Sequence, residues 1–398
     1  MKEKTVRAGV FGLWRGAAHI RAMQYVEGVR VAAVCEKDPK KREAALKLCP
    51  PGVKVCGSFE ELLDAGIDLV VLCNYLPDHA ACAVRALRKG IRVVSECLAA
   101  VTMKECVELV EAVEETGLYY SMAENSPYGT SYLEIGRLFR SGVLGDVVYA
   151  DAEYCHPLAP DKVTAVRPTK DHWRVFLPKT YYLTHPLGSL MNITRLMPKR
   201  VAAMAAKDAA YAAARDFESA DSAGILLLEM ENGAVFRVTG STNYAPFGSS
   251  LRLACTKGNA ETLRHRKEEV SLTFNPWDVP AEMAAVGNHI SYVPPGDADA
   301  AEAVAKGLPT GGHMIADYRT VKNYISEILE GQPPDMNVYR SAAMSAAAIL
   351  GWRSVLDGSR PYDIPDLSDP AARDRYRNDD QSPFRGEIPY CKYPAGQA

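Results

Sequence analysis

The protein has 398 residues, of which 47% are hydrophobic and 24% charged, and its formal net charge is −3 at neutral pH. This length exceeds what one hydrophobic core usually accommodates, so we expect two domains. The near-neutral net charge gives no reason to expect nucleic acid or an anionic membrane as a partner, so we expect neither.

Two further features bear on the compartment. Charged residues interrupt the apolar positions of the N-terminal stretch MKEKTVRAGVFG, and no run along the chain is long and apolar enough to span a membrane. The ten cysteines form no CxxC pair, and neither they nor the histidines show metal-ligand spacing. We therefore expect a cytoplasmic protein with reduced thiols, no metal and no membrane segment.

The first predicted element is a strand that ends in a glycine-containing turn. Apolar residues within positions 6–11 precede Gly12-Leu13-Trp14-Arg15-Gly16, and an apolar segment typical of a helix, residues 17–26, follows. In this context a glycine fingerprint binds a dinucleotide, because bare backbone and the helix N-terminus meet the pyrophosphate. The turn departs from G-x-G-x-x-G, either by being one residue short or by placing Trp14 at a glycine position. An ordinary buried strand–turn–helix is the alternative.

A second strand, residues 29–35, ends at Glu36, a position suited to the ribose hydroxyls of a dinucleotide. Strands and helices then alternate, in the order helix 39–48, strand 53–56, a helix opened by the capping box of residues 58–61, strand 68–73, helix 78–89, strand 91–95, helix 102–117 and strand 118–122. This alternation predicts a parallel sheet with right-handed crossovers. The fold class is therefore α/β, with a Rossmann-type parallel-sheet domain over residues 1–123.

Ligands of such sheets bind beyond the carboxyl ends of the strands. The residues at those ends, with the glycine turn, give the predicted cofactor-binding set: Gly12, Leu13, Trp14, Arg15, Gly16, Glu36, Asn74, His79, Glu96 and Asn125. For His79 the alternative is that it only caps its helix.

Residues 124–398 follow a different pattern and predict an α+β domain with a mainly antiparallel sheet. Strands are expected at 146–155, 223–230, 234–240, 250–256 and 260–264, with a hairpin turn at Asn232-Gly233. A proline- and glycine-rich excursion covers residues 280–309, helices follow at 316–330 and 338–356, and the polar tail from Asp366 is expected to lie over the surface or a neighbour. An exposed sheet face would suit association with a second copy, so we expect a homo-oligomer.

The densest polar cluster of the second half combines residues 171–174 with residues 181–189. Tyr182 lies three residues before His185, which opens a helical segment, so the two side chains can face one cavity. Tyrosine and histidine together can move protons to and from carbon or oxygen. The alternative is that the two side chains only satisfy each other's hydrogen-bonding groups at the boundary between two domains.

At these residues the chain resembles the Gfo/Idh/MocA oxidoreductase family over nearly its whole length. The marks that carry the resemblance occur in order along the chain and are Val94-Ser95-Glu96 with AAVT after it, residues 122–125, Gly142-Val143-Leu144-Gly145-Asp146, Thr184-His185-Pro186-Leu187-Gly188, Gly311-Gly312-His313 with Asp317, and residues 334–339.

Sugar dehydrogenases of this family carry a Glu-Lys-Pro triplet whose lysine serves in catalysis, but this sequence reads Glu96-Cys97-Leu98. A neutral thiol cannot take over the cationic and basic roles of lysine. The chain is more similar to the NAD-dependent glycosidases of glycoside hydrolase family 109, which also lack that lysine. Their Tyr-x-Thr-His-x-Leu-Gly pattern matches residues 182–188, and their Tyr-x-His pattern resembles Tyr154-Cys155-His156.

This resemblance implies a reaction in which NAD takes a hydride from C3 of a sugar, C2 is deprotonated, the anomeric substituent is eliminated, water adds and the hydride returns, with no net redox change. Tyr182 is then the base at C2 or its relay, and His185 serves the C3 hydroxyl and the oxyanion. The two roles can be exchanged. The substrate, a small carbohydrate or glycoside, is expected to meet Glu124, His156, Trp173, Arg174, His313 and Asp317. For His156 and His313 a structural role is the alternative.

Two other functions stay open. One is an NAD-dependent sugar or cyclitol dehydrogenase that has moved its base from position 97 to Tyr182; the other is a non-catalytic nucleotide- or sugar-sensing protein. We expect NAD as the cofactor because Glu36 repels a 2′-phosphate, although Lys37 beside it could attract one.

Overall fold

The computed structural model describes residues 5–157, 172–207, 221–242 and 247–384. The chain forms two compact units, the first made of Met1–Tyr128, Gly296–Ala342 and Leu367–Asp379, and the second of Gly129–Pro295, Ala343–Asp366 and Asp380–Ala398. The first unit therefore extends past the predicted boundary at residue 123 and takes in two later segments. Within the described ranges, no helix combines the length and apolarity needed to cross a bilayer.

The strands lie in two sheets. The first sheet contains β1 (Val6–Phe11), β2 (Val29–Cys35), β3 (Lys54–Cys56), β4 (Leu69–Leu72), β5 (Arg92–Ser95) and β6 (Tyr120–Met122). The second contains β7 (Val147–Cys155), β8 (Pro198–Lys207), β9 (Asp221–Met230), β10 (Val235–Ser241), β11 (Gly248–Cys255), β12 (Gly258–Leu263), β13 (Arg266–Phe274), β14 (His289–Tyr292) and β15 (Tyr362–Asp363).

The α-helices, in chain order, are α1 (Leu13–Met23), α2 (Pro39–Leu46), α3 (Phe59–Leu63), α4 (His79–Arg88), α5 (Met103–Thr116), α6 (Thr130–Arg140), α7 (Trp173–Phe176), α8 (Thr184–Thr194), α9 (Ala298–Ala305), α10 (Met314–Glu330), α11 (Val338–Leu356) and α12 (Pro370–Asp374). Short 3₁₀ turns occupy Leu76–Asp78, Ser126–Tyr128, Lys179–Leu183 and Ala281–Met283.

The first sheet is wholly parallel, with strand order β3-β2-β1-β4-β5-β6. The central strand β4 is an apolar run that is buried at every position, as expected for a parallel sheet covered on both faces. The predicted Rossmann-type α/β architecture is confirmed.

Local capping signals in the sequence place the helices of this unit. Asp38 caps α2 by accepting from the N–H of Lys40, and Thr102 and Glu105 form a complete capping box on α5. Of the other predicted capping box, one hydrogen bond forms: the Ser58 side chain accepts from the N–H of Glu61. The Glu61 carboxylate accepts from the N–H of Gly57 rather than from that of Ser58.

Helix α10, which follows β14 in the chain, packs against α1 in the core of the first unit. Leu13 and Ile20 on α1 and Val321 and Ile325 on α10 are almost fully buried in one hydrophobic cluster. This apolar contact explains why residues 296–342 belong to the first unit, although the sequence placed them in the second domain.

The second sheet has nine strands in the order β14-β13-β12-β11-β7-β10-β9-β8-β15, and every neighbouring pair is antiparallel except β7–β10. The predicted, mainly antiparallel second sheet is confirmed. The hairpin between β9 and β10 turns at residues 231–233, where Gly233 has φ +84°. Along β9 buried and exposed residues alternate, so one face of the sheet is covered and the other is open.

Two regions contain more structure than the sequence suggested. The excursion predicted over residues 280–309 includes strand β14, which pairs with β13, and helix α9, which is capped by Asp297. The tail includes α12, whose Arg373 donates to Glu114 on α5 at 2.6 Å. The remainder of the tail, from residue 385, and Asp171 lie outside the described residues.

Candidate active site

The turn between β1 and α1 brings bare backbone against a neighbouring strand end. Gly12 has φ +87°, and a Cβ there would lie 2.4 Å from the carbonyl oxygen of Cys73. Gly16 packs directly on Val10, whose Cγ1 would lie 2.6 Å from a Cβ at position 16. The turn thus makes the tight bend and the close helix–strand approach for which a dinucleotide fingerprint uses glycine.

Glu36 follows β2, and its carboxylate is already engaged with this turn. It accepts from the N–H of Leu13 at 2.8 Å and from the N–H of Asp38 at 3.0 Å. A carboxylate there is favoured, because the first N–H groups of α1 have no partner within the helix. The Leu13 side chain is buried, whereas Trp14 is half exposed with Lys41 near its ring, so of the two only Trp14 presents a side chain to solvent.

Arg15 lies at the centre of an ion network. Its guanidinium donates to both oxygens of Asp317, at 2.6 and 2.9 Å, and its Nε lies 2.8 Å from Oε1 of Glu96. Asn125 donates to Asp317 at 2.7 Å. Asp317 was predicted to bind substrate, but both of its oxygens are engaged here by residues predicted to bind the cofactor.

The network depends on keeping both carboxylates charged although Asp317 is buried and Glu96 is only 16% exposed. Burial alone would raise the pKa of Glu96, but Arg15 and His19 hold that pKa below its ordinary value. Burial likewise works against the charged form of Asp317, whose pKa is lowered by Arg15 and Asn125. Two carboxylates and one guanidinium therefore share a compact, charged arrangement.

Two members of this network were missed by the sequence analysis. His19 is almost fully buried, with Nε2 2.7 Å from Glu96 and Nδ1 3.3 Å from the hydroxyl of Tyr324 on α10. One signal was available for His19, which follows Arg15 by four residues and so shares its face of α1. No local signal marks Tyr324.

Asn74 and His79 lie at the carboxyl end of β4. The buried Oδ1 of Asn74 has no hydrogen-bond partner among the residues that the structure describes. The ring nitrogens of His79 lie 2.8 Å from the carbonyl oxygen of Leu98 and 3.3 Å from that of Asn74. Burial lowers the pKa of His79. Asn74 can therefore accept from a ligand, whereas the His79 ring holds the local backbone.

Cys97, for which the resemblance described above implies the place of a dehydrogenase lysine, contacts Glu124. The thiol donates to Oε2 of Glu124 at 3.1 Å, while Oε1 accepts from the N–H of Ser126 at 2.9 Å. Burial, reinforced by Glu124 and Glu96, raises the pKa of Cys97 well above its ordinary value. The thiol therefore stays neutral, and a carboxylate lies beside it.

His19, Cys73 and Glu96 are the one group of three potential metal ligands found within the described parts of the chain, with ligand atoms within 4.8 Å of one another. Oε1 of Glu96 already contacts both His19 and the Arg15 guanidinium. A cation would face that guanidinium, so this arrangement disfavours a metal.

In the second unit, five rings form one cluster around Tyr154. The centroid of Tyr154 lies 4.3 Å from that of His185, 5.8 Å from Tyr182, 5.9 Å from His156 and 6.0 Å from Phe247. The rings of Tyr182 and His185 meet edge to face at 6.1 Å. The structure thus brings Tyr182, His185 and His156 together, and adds Phe247, which is 49% exposed and which the sequence did not single out.

Two glycines of the second sheet fix the backbone that carries Tyr182. A Cβ at Gly240 on β10 would lie 2.4 Å from the carbonyl oxygen of Tyr182, and one at Gly224 on β9 would lie 2.6 Å from the N of Thr180. The 3₁₀ turn of residues 179–183 therefore lies directly on the two strands. His185 is in the first turn of α8, immediately after it.

Trp173 and Arg174 lie on the short helix α7, where the guanidinium of Arg174 stacks 4.5 Å from the Trp173 ring. Burial lowers the pKa of His156, and the charges of His185 and Arg174 lower it further, so His156 is neutral near pH 7. His313, in the first unit, is exposed before α10, and its carbonyl accepts from the N–H of Asp317.

Three family models match the chain. "Oxidoreductase family, NAD-binding Rossmann fold" matches residues 6–124, "GFO/IDH/MocA C-terminal domain" matches 132–261, and "Glycosyl hydrolase 109, C-terminal domain" matches 203–372. The cofactor of the first unit is accordingly NAD. The tight glycine turn at Gly12 and the buried Asn74 oxygen, which has no partner among the described residues, fit a bound dinucleotide.

Curated relatives agree with these matches. A "Glycosyl hydrolase family 109 protein" of Saccharopolyspora erythraea is 28% identical, over 92% of this chain and 84% of its own. An "Alpha-N-acetylgalactosaminidase" of Bacteroides fragilis is 27% identical, over 91% of this chain and 92% of its own.

Solved structures show the same fold. One of them is myo-inositol 2-dehydrogenase from Lactobacillus plantarum, which has 18% identity and a TM-score of 0.68 over 91% of this chain and all of its own. The first two family models together span more than half of the sequence. The chain belongs to the Gfo/Idh/MocA oxidoreductase family, and its C-terminal part matches the glycosyl hydrolase 109 domain.

Proposed function

We propose that this protein is an NAD-dependent enzyme that cleaves glycosides by transient oxidation at C3, deprotonation at C2 and elimination of the anomeric substituent, with no net redox change. The observation that carries the proposal is the neutral Cys97 thiol at the position of the dehydrogenase lysine. The Tyr–His ring cluster of the second unit and the matches to glycosyl hydrolase 109 proteins support it.

In the first unit, we assign NAD to the Gly12–Gly16 turn, with Trp14 and Arg15 in it, to Glu36, and to the strand-end residues Asn74, Glu96 and Asn125. NAD supplies an acceptor that takes the C3 hydride and returns it at the end of the cycle. Arg15 is held by two carboxylates, so its guanidinium has a fixed place before any ligand arrives. We accordingly assign Asp317 to positioning Arg15.

In the second unit, we assign Tyr182 as the base that removes the C2 proton and His185 as the group that contacts the C3 hydroxyl and stabilises the developing oxyanion. A C3 ketone makes the C2 proton acidic enough for a phenolate or imidazole base. The edge-to-face contact of the two rings limits their rotation, so each can present its polar atom in a constant direction. The exchanged assignment fits the same contacts.

The remaining predicted residues are assigned to the substrate. His156 is neutral and therefore can both donate hydrogen bonds to sugar hydroxyls and accept them. The guanidinium of Arg174, which is stacked on Trp173, has several N–H groups that can donate to the sugar. Glu124 lies beside Cys97, where it can accept from a hydroxyl, and His313 is exposed. Because a relative is named an α-N-acetylgalactosaminidase, N-acetylgalactosaminides are the first substrates to test.

The decisive experiment incubates the purified protein with a panel of aryl glycosides in deuterated water, without added cofactor. We expect release of the phenol, deuterium at C2 of the sugar and no accumulation of NADH. Lasting NADH formation from free sugars would instead favour a dehydrogenase, and binding of NAD without turnover would favour a sensor.

A variant of the assigned base separates its role from folding. Tyr182→Phe keeps the ring contacts but removes the hydroxyl, so we expect exchange at C2 to disappear while NAD stays bound. Retained exchange in this variant would refute the assignment of Tyr182 as the base.

We also propose that two copies associate through the open face of the second sheet. This face exposes Met204, Leu227 and Val235, of which Met204 is 65% exposed, next to the oppositely charged pair Arg237 and Asp151. Leu227→Asp places a charge in the middle of the face. We expect it to lower the molecular mass measured by sedimentation equilibrium, and an unchanged mass would exclude this face as the interface.

A further inference from the structure

The two carboxylate oxygens of Glu96, which follows β5, have different surroundings. Oε1 lies 2.8 Å from Nε of Arg15 and 2.7 Å from Nε2 of His19. Oε2 accepts no hydrogen bond from any residue that the structure describes, and it is not one of the buried side-chain atoms that lack a partner, so it reaches solvent. One oxygen is therefore held by the protein, and the other is open to a ligand.

His19 is the more buried of the two groups that hold Oε1. Its side chain is 2% exposed, whereas that of Arg15 is 30% exposed. Water therefore competes less for the histidine ring than for the guanidinium. A hydrogen bond to a charged group is also stronger than one between neutral groups, and more so in a buried setting. His19 thus supplies a fixed anchor for Oε1.

The partners of His19 determine where its proton lies. Burial works against the charged form of Glu96, but Arg15 and His19 hold the pKa of Glu96 below its ordinary value, so the carboxylate only accepts. Nε2 of His19 therefore donates in this contact. In a neutral ring Nδ1 then accepts from the hydroxyl of Tyr324 at 3.3 Å, and burial keeps that hydroxyl protonated by raising the pKa of Tyr324. The hydrogen bonds thus run in one direction, from Tyr324 through His19 to Oε1.

The open oxygen lies where the cofactor is expected. Ligands of a doubly wound parallel sheet bind beyond the carboxyl ends of its strands, and Glu96 comes directly after such an end. A hydroxyl donates to a carboxylate oxygen in a short, strong hydrogen bond, and the riboses of NAD supply such hydroxyls. A carboxylate whose orientation is set before binding also loses less conformational entropy when the ligand arrives.

We propose that His19 is a positioning residue for NAD: by donating from Nε2 to Oε1 of Glu96, it keeps Oε2 directed at a ribose hydroxyl of the cofactor. The ring acts through Glu96, because it is buried and both of its nitrogens are engaged within the protein. This inference rests on the assignment of Glu96 to NAD made above, and it does not depend on how the sugar is cleaved.

The test is calorimetric titration of the full chain with NAD for two matched variants. His19→Gln can place an amide N–H where Nε2 lies, whereas the shorter side chain of His19→Asn reaches only as far as Nδ1. We expect His19→Gln to bind NAD nearly as tightly as the natural chain. We expect His19→Asn to bind it about tenfold more weakly, as for the loss of one hydrogen bond to a charged group. Equal affinities of the two variants, or tighter binding by His19→Asn, would overturn the proposal.

A third variant separates positioning from stability. Ile20 is fully buried on the same helix, so Ile20→Ala destabilises the fold without removing a contact of Glu96. We expect Ile20→Ala to unfold at lower urea concentration and to bind NAD like the natural chain. If it weakens NAD as much as His19→Asn does, the effect at position 19 is one of stability and the proposal is wrong.

Glu96→Gln distinguishes failure of this inference from failure of the assignment beneath it. If Glu96→Gln binds NAD like the natural chain, Glu96 does not hold the cofactor and both ideas fall. If it weakens NAD while the two His19 variants bind alike, the assignment of Glu96 stands and the role of His19 is refuted. In the double variant of His19→Asn and Glu96→Gln, we expect no loss beyond that of Glu96→Gln, because both changes remove one interaction.

Discussion

Gly240→Ala tests whether the backbone position of Tyr182 determines the rate of glycoside cleavage. The new Cβ would lie 2.4 Å from the carbonyl oxygen of Tyr182, whereas ordinary contacts begin at 3.4 Å, so the turn that carries Tyr182 must move by about 1 Å. A displacement of that size at a catalytic group typically costs about 100-fold in rate. Overpacking of this kind costs about 1–3 kcal/mol of stability. We therefore expect a folded protein whose aryl glycoside cleavage is about 100-fold slower.

The assay is the initial rate of phenol release, measured together with the rate of deuterium exchange at C2 and the affinity for NAD. Gly296→Ala is the control, because a Cβ there meets nothing within 4 Å. We expect Gly240→Ala to slow cleavage and exchange by the same factor while NAD affinity stays at the control value. A cleavage rate equal to that of the control would refute the idea that this contact positions Tyr182.

Three further predictions follow from the first unit. Asp317→Asn leaves Arg15, which is 30% exposed, with Glu96 as its one carboxylate partner in the network described above, so we expect a loss of about 3 kcal/mol in urea unfolding and weaker NAD binding in titration. Burial lowers the pKa of His79, so below about pH 6.5 the unfolded chain binds a proton that the folded chain does not. Stability therefore falls as the pH drops through that region, by at most about 1.4 kcal/mol per pH unit, and His79→Gln should flatten the slope measured by urea unfolding. Cys97→Lys restores the dehydrogenase lysine, so we expect NADH absorbance to accumulate with free sugars.

Each of these predictions has its own control. Asp363→Asn breaks an exposed ion pair with Arg200 and should change neither stability nor NAD affinity; an Asp317→Asn variant that behaves the same way would contradict the role of the network. Equal pH slopes for His79→Gln and the natural chain would show that His79 is not the group that titrates. Cys97→Ser stays neutral and should form no lasting NADH; if Cys97→Lys behaves like it, the lysine alone does not set the reaction type.

Local signals in the sequence account for most of the first sheet. The run from Val29 to Cys35 is a strand with the predicted bounds, and Thr102 and Gly117 begin and end a helix as their capping chemistry requires. These elements were predictable because their determinants lie within a few residues of each other. The packing of residues 296–342 within the first compact unit was not predictable for the opposite reason, since the apolar face of α10 meets α1 only in three dimensions.

The same distinction applies to the site. Gly12, Glu36 and the Tyr182–His185 pair could be proposed from the sequence because a short motif carries each of them, and their roles stay predictions. The contact between Arg15 and Asp317 was not predicted, although both residues were candidates, because Asp317 follows Arg15 by 302 residues and nothing near position 317 marks it as the acceptor of a distant guanidinium. Phe247 was missed because its contact with Tyr154 comes from pairing of β11 with β7, which no local pattern encodes.

The bond between Arg15 and Asp317 also sets a condition on biosynthesis. A ribosome that has released the first 123 residues has produced all six strands of the nucleotide-binding sheet, but Arg15 then has Glu96 as a partner and still lacks Asp317, and α1 still lacks α10. The whole of the second sheet except β15 is translated in between. The contacts around Arg15 can therefore be completed only after α10 has been translated. We expect a fragment truncated after residue 123 to be an aggregation-prone intermediate rather than a domain that folds on its own.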